Sequence, residues 1–315
     1  MFFKIARIPL AVAIACLAVA CSEQQAGQPA SAIVAPAQTS PDAAVMASIK
    51  NLRSNNIAAL VESAVPTPAL AKLKSDWNKD FNQGSISDED RKKFGELMTK
   101  LTAPDAEAKL YAEAEPQLKQ FDQQMAQQMP MMIAMGQGFI QSSVQQNNDL
   151  DENQKKQVID ATNAIAKWVG TVKFTDPELV KRAITAVCKT ARELNIKTLD
   201  ELRALNYDQA MQKAGIVVAG LKQVLDVYGF SLDQVLDTTK VELVSNEGDT
   251  AKVKISYTLL NTPLSTESEL VKVDGKWFGK HAVEQWNKSQ QEAAKPKVAL
   301  NSSSSDSDSE DSSKN

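Results

Sequence analysis

The chain of 315 residues is 43% hydrophobic and 23% charged, which is typical of a globular protein and not of a disordered chain or a multi-span membrane protein. Its formal net charge is −4, and basic residues alternate with acidic ones, so no nucleic acid partner is expected because phosphate-binding surfaces need clustered Lys and Arg. With three cysteines and one histidine, the chain lacks a disulfide framework and the closely spaced ligands of a zinc site.

The N-terminus has the features of a bacterial export signal. Lys4 and Arg7 precede an apolar run over 8–20, which is too short to cross a bilayer because about 20 residues are needed. The run ends in Leu-Ala-Val-Ala-Cys at 17–21, and polar residues follow at once. This ending resembles the lipoprotein signal of bacteria, with Ala18 standing where that family usually has Leu.

The resemblance implies that residues 1–20 are a signal peptide and that Cys21 is acylated. The alternatives are acylation of Cys16 and an export signal without lipidation, but use of Cys16 would leave the apolar residues 17–20 between the lipid and the protein. Acyl chains contribute about 0.8 kcal/mol per buried CH₂, so two or more chains hold a protein at a membrane. Ser22 resembles the signal that sorts lipoproteins of enteric bacteria to the outer membrane. We therefore expect a periplasm-facing outer-membrane protein, with the inner membrane as the alternative.

Both ends of the mature chain are predicted to lie outside the folded body. Residues 21–41 comprise the acylation site and a flexible tether rich in Ala, Gln, Ser and Pro, whose reach is roughly 25 Å. Residues 295–315 form an acidic serine-rich tail, which is predicted to be disordered because it has little to bury. Loss of the leader changes the net charge to about −6, since the leader carries Lys4 and Arg7.

Residues 42–230 are predicted to form successive helices that pack as a bundle. Ser87 with Asp90, and Thr198 with Glu201, have the spacing of helix capping boxes. In several segments apolar residues recur with helical period, which predicts faces directed at a common core. These predicted core faces are Phe94, Leu97, Met98 and Leu101; Val158, Thr162, Ile165 and Val169; and Ala210, Ala214, Val217, Leu221, Val224 and Tyr228.

Residues 231–294 are predicted to form a small sheet that packs on the helices. Apolar residues alternate at Val241 and Leu243, over 251–257, and at Val271 and Val273, which is the pattern of half-buried strands. Asp274-Gly275 is a two-residue hairpin signal. We expect a three-to-four-stranded antiparallel meander and a short helix over 282–292, so the predicted fold class is α+β.

This last third of the chain resembles the C-terminal half of NTF2-like and cystatin-like α+β lipoprotein domains. The resemblance lies in the order of a helix, a meander and the segment Val273-Asp274-Gly275-Lys276-Trp277. The resemblance covers about 85 residues and rests on the pattern of elements. It implies a hollow between helix and sheet in which such domains bind small ligands or partners. Tyr257, Trp277 and the predicted helix over 206–228 are the candidates to line that hollow.

No catalytic apparatus or cofactor is expected. Nucleophilic catalysis needs a base beside the nucleophile, and His281 is the only histidine. Cys188 shares a predicted helical face with apolar residues, which favours a buried structural role. An enzyme would require Cys188, His281 and a carboxylate to converge. The acidic run over 149–153 lacks the glycine and terminal glutamate of a calcium loop, so Asp149 or Asp151 is interpreted as a helix cap.

A cluster of methionines is the most unusual local feature. Five of the nine methionines are Met125, Met129, Met131, Met132 and Met135. Thioethers select Cu(I), so a copper site is one hypothesis, although methionine more often fills core gaps or forms an adaptable binding surface.

These observations predict a membrane-anchored periplasmic lipoprotein that binds another macromolecule or an envelope component and is not an enzyme. One alternative is a small-ligand carrier or sensor that uses the hollow beside Tyr257 and Trp277, which an apolar pocket of several hundred Å³ would favour. Another is an immunity lipoprotein that neutralises a toxin, which a neighbouring toxin gene would indicate.

Overall fold

The computed structural model describes residues 40–82, 85–125, 128–148 and 150–294. The predicted signal peptide, Cys21 and the acidic tail lie outside the described residues, as does all of the predicted tether except its last two residues. The helices are α1 Pro41–Arg53, α2 Ile57–Ala64, α3 Thr67–Asn82, α4 Asp88–Thr102, α5 Ala106–Met125, α6 Met129–Gln146, α7 Glu152–Thr171, α8 Pro177–Leu194, α9 Leu199–Arg203, α10 Tyr207–Val227, α11 Leu232–Asp237 and α12 Lys280–Ala294.

The strands form one antiparallel sheet in the order β1-β2-β3-β4. The turn between β3 and β4 uses Asp274 and Gly275 at φ values of 49° and 77°, a left-handed conformation that asparagine, aspartate and glycine tolerate best. The strands are β1 Lys240–Glu247, β2 Thr250–Leu259, β3 Thr262–Val273 and β4 Lys276–Gly279. The predicted α+β class, with a meander between the helical body and a C-terminal helix, is confirmed.

Side-chain caps explain where several helices begin. Asp151 accepts a hydrogen bond from the Gln154 backbone N–H, and the Gln154 side chain accepts one from the backbone N–H of Asp151. Thr198 with Glu201 makes the same reciprocal pair, and Ser87 accepts from the backbone N–H of Asp90. These short residues satisfy N–H groups that the first helical turn leaves unpaired.

Two helices cover one face of the sheet. Val253, Leu270 and Trp277 pack against Ala44 and Val45 of α1. Further along the same strand, Leu259 lies with Leu264 against Ala164 of α7. Because alternate residues of a strand point to the same side, Val253 and Leu259 project from a single face. The sheet is therefore attached to the helical body through α1 and α7.

The predicted core face of α10 is wrong at two positions. Val217 and Leu221 are 49% and 47% exposed. The buried side instead includes Gly215 and Gly220, because a Cβ at Gly215 would lie 2.5 Å from the carbonyl oxygen of Asn55 and one at Gly220 would overlap the side chain of Thr190. Close backbone contact at the glycines thus sets the orientation of α10. Leu97 and Ile165 are also exposed, contrary to prediction.

A buried lysine holds the end of α1 in place. The Nζ of Lys222 donates to the carbonyl oxygens of Leu52 at 2.6 Å and Arg53 at 3.1 Å. It also lies 2.8 Å from a carboxylate oxygen of Asp233, and Arg53 pairs with Asp233 and Asp237. The lysine donates to two carbonyls of the last turn of α1, where backbone donors run out, so it joins α1 to α10 and α11.

An ion pair between α5 and α8 predicts a pH dependence of stability. The Arg192 guanidinium donates two hydrogen bonds to the Glu107 carboxylate, at 2.6 and 2.9 Å, and lowers the pKa of that carboxyl from its usual 4.5 to about 2. The stability from this pair is present above pH 4.5 and is lost as the pH falls towards 2, because protonation then removes the charge. Urea unfolding at several pH values measures this loss.

The matched variant for that experiment is Arg192→Gln. Loss of the guanidinium should bring the pKa of Glu107 closer to its usual value, so the fall in unfolding free energy between pH 4.5 and 2 should be smaller than in the unmodified protein. Lys92→Gln removes a longer exposed pair with Glu96, at 3.8 Å, and should leave the pH dependence of the unfolding free energy unchanged. The same pH dependence in all three proteins would contradict a stabilising role of the Glu107–Arg192 pair.

Candidate functional site

An apolar groove of about 350 Å³ lies where α1, α2 and α12 meet the sheet. We call it the Trp277 groove. Trp277, Phe278 and Leu270 are almost fully buried and form its floor. Its walls comprise Ala44 and Val45 of α1, Ala64 of α2 with Val65 after it, and His281, Ala282 and Gln285 of α12.

The lining of this groove carries no Asp, Glu, Lys or Arg. The hydroxyls of Ser48 and Ser63 lie 2.9 Å apart, and each also lies within hydrogen-bonding distance of a backbone carbonyl oxygen, so both O–H groups find acceptors within the wall. His281 and Gln285 are exposed at the rim, with their side-chain nitrogens 3.2 Å apart. The groove therefore combines an apolar interior with hydrogen-bonding groups at its edge, a combination typical of small-molecule sites.

The structure separates the residues that were predicted to share a hollow. Trp277 lines the groove, whereas Tyr257 lies among Leu259, Leu264 and Ala164 at the other end of the sheet face. The Tyr257 hydroxyl accepts a hydrogen bond from the side-chain amide of Gln157 at 2.9 Å, and burial raises the pKa of this tyrosine. Residues of α10 do not line the groove. Helices α1 and α12 also line the groove. Apart from their apolar residues, nothing in the sequence indicated that they would do so.

The second candidate is the outer side of α6. Met131 and Met135 are each 68% exposed and Phe139 is 74% exposed, at successive turns of the helix, with Met132 beside them at 51%. We call these four residues the methionine face. They form an exposed apolar patch along one side of the helix, and large patches of this kind mark interaction sites. Residues 123–148 contain no charged side chain.

The side of α6 that packs on α7 is the less apolar one. Val144 is buried there, Ile133 packs near Gly170, and the Gln137 amide donates to the Asn163 carbonyl at 2.9 Å. A helix that only stabilised this fold would direct its largest apolar side chains inward. Burial in the core is therefore excluded for Met131, Met132 and Met135.

The copper hypothesis remains a prediction. Met131 and Met135 are one turn apart on the exposed side of α6, and Met129 is half-buried. The side chain of Met125 lies outside the part of the chain that the structure describes. Among the described residues, no group of three or more His, Cys, Asp and Glu side chains could hold a metal ion.

The two residues considered for catalysis lie on different helices. Cys188 on α8 is fully buried, and desolvation raises the pKa of its thiol, which disfavours the nucleophilic thiolate. His281 is exposed on the first turn of α12. The burial of Cys188 is what its predicted apolar helical face leads one to expect.

No family model, curated protein or solved structure matches the chain. Within the described ranges, no helix is both long and apolar enough to cross a membrane.

Proposed function

We propose that this protein is a membrane-anchored periplasmic lipoprotein that binds another protein of the cell envelope and performs no catalysis. The anchor is inferred from the leader and Cys21. The interaction is inferred from the methionine face of α6, which is the observation that carries the proposal.

The chemistry of this face favours a protein partner. Thioether side chains are unbranched and polarisable, so they adapt to irregular apolar partners. Phe139, at 74% exposed, supplies an aromatic side chain of the kind that is enriched in the cores of protein interfaces. The uncharged flanks favour a protein over an anionic membrane surface, because interfacial membrane helices usually carry Lys or Arg on the polar side.

The test is site-specific photo-crosslinking in intact cells. A photoreactive amino acid at Phe139 should form one or a few discrete covalent products, whereas the same group at Lys92, an exposed residue of α4, should not. Products of similar pattern at both sites would contradict the proposal. A product of twice the chain mass would assign the face to self-association instead.

Charged variants test whether the contact is apolar. Met131→Glu with Met135→Glu should reduce the yield of crosslinking at Phe139 about tenfold or more, because a charge in the centre of an apolar interface is not solvated. Gln145→Glu adds one of the two negative charges to α6 outside the methionine face and should leave the yield unchanged. All of these residues are exposed, so the urea unfolding midpoint should not change.

A further inference from the structure

The Trp277 groove has the form of a site for one slender apolar ligand. Its floor is the edge of the sheet, where Leu270 is 4% exposed and Trp277 is 6% exposed. Its volume of about 350 Å³ is at the low end of ligand pockets, which run from roughly 300 to 1,000 Å³. A ligand with one chain suits this volume better than a two-chain lipid.

The rim specifies where the polar end of such a ligand would lie. His281 and Gln285 are the hydrogen-bonding side chains at the open edge, on successive turns of α12. The interior carries no charged side chain, and its polar side chains are Ser48 and Ser63, which hydrogen-bond within the wall, and Ser268 of β3. The groove thus offers mainly apolar contact inside, with its longer hydrogen-bonding side chains at the mouth.

The start of the described chain lies beside this groove. Ser40 is the first described residue, and Ala44 and Val45, in the first turns of α1, form part of the groove wall. The predicted tether therefore ends within a few residues of the groove. This argument rests on the proposed anchoring through Cys21. If the chain is anchored there, the reach of the tether keeps the groove within roughly 25 Å of lipid.

We infer that the Trp277 groove binds the single acyl chain of a fatty acid, with the chain along Leu270 and Trp277 and the head group at His281 and Gln285. The ligand's source is the membrane to which the protein is tethered. Binding itself depends only on the groove, so it can be measured in solution without the anchor and without the methionine face.

The first measurement is a chain-length series. The full chain with Cys21→Ser, so that no acyl group of its own competes, is titrated with straight-chain fatty acids from octanoic to hexadecanoic acid against a fluorescent fatty acid. Affinity should rise by up to about fourfold for each methylene that is buried and level off once the groove is full. Equal affinity along the series would overturn the inference.

The second measurement identifies the site. A brominated fatty acid quenches a tryptophan that it contacts, so in a Trp286→Phe background, which removes the ring next to the rim residue Gln285, it should quench Trp277, and this quenching should disappear in Trp277→Phe. Trp77→Phe and Trp168→Phe should retain it, because these rings pack against Tyr207 and Phe174 elsewhere in the protein. Quenching that persists in Trp277→Phe would place the ligand elsewhere and overturn the inference.

A blocking variant completes the test. Ala282 is exposed at the groove rim, and Ala282→Phe should weaken binding at least tenfold by filling the mouth. Ala47→Phe places the same ring at an exposed position on α1 that does not line the groove, and it should bind as the unmodified chain does. Equal weakening in both variants would refute the site. If Ala282→Phe fails to fold, the tryptophan quenching decides the question.

Discussion

Replacing Cys21 with serine is expected to release the protein from membranes completely. The proposed acyl chains on this sulfur are the attachment to lipid that the sequence predicts, and at about 0.8 kcal/mol per buried CH₂ they account for stable binding. Membrane fractions of cells expressing the variant should lack the protein, and a clickable palmitate analogue should no longer label it. The unmodified protein should be labelled and sediment with membranes.

The other cysteines supply matched controls. Cys16→Ser should keep both the label and the membrane association, because on the proposed processing Cys16 belongs to the leader and Cys21, not Cys16, accepts the lipid. Cys188→Ser should also keep them, since Cys188 is a fully buried residue of α8. Labelling that is lost in Cys16→Ser and kept in Cys21→Ser would assign the acylation site, and with it the start of the mature chain, to Cys16. Labelling in none of the proteins would remove the anchor from the proposal.

Replacing Lys222 with methionine is expected to lower the free energy of unfolding by about 3 kcal/mol. Lys222 is 5% exposed, and its Nζ contacts the carbonyl oxygens of Leu52 and Arg53. Methionine fills a similar volume but cannot donate, so both carbonyls lose this donor and Asp233 loses one of its two cationic neighbours, keeping Arg53. The urea midpoint should fall while the slope of the transition stays constant.

The control for this variant is an exposed lysine. Lys189→Met on α8 removes a side chain that is 57% exposed and lies 3.8 Å from Glu193, so its effect should stay within about 0.5 kcal/mol. A similarly small effect of Lys222→Met would show that the contacts to α1 are not stabilising. Lys222 holds the end of α1, and α1 forms part of the wall of the Trp277 groove. Lys222→Met should therefore also weaken fatty acid binding, whereas Lys189→Met should not.

The strands, turns and helix starts could be predicted because local chemistry determines them. The alternation over 251–257 makes one face of β2 apolar, and only one register can bury that face. Asp274-Gly275 tolerates the positive φ values that a tight hairpin needs. Asp151 and Thr198 carry oxygen atoms at the distance that an N-terminal N–H requires. Each signal is complete within a few residues of sequence.

The orientation of the helices could be predicted less well. For α10, apolar spacing pointed to Val217 and Leu221, but both are exposed. A glycine has no side chain to mark a contact, so the sequence did not show that Gly215 lies against Asn55 or that Gly220 lies against Thr190. The burial of Lys222 also depends on carbonyls some 170 residues away.

The sequence by itself determined the α+β class, the meander, the helix caps and the resemblance of the leader to a lipoprotein signal, because each depends on residues close together in the chain. Only the tertiary structure decided that the methionine face points outward and that Trp277 lines a groove without Tyr257. The physical reason is that an apolar stripe shows that a surface can be buried, whereas the neighbours that bury it, or leave it exposed, come from distant segments.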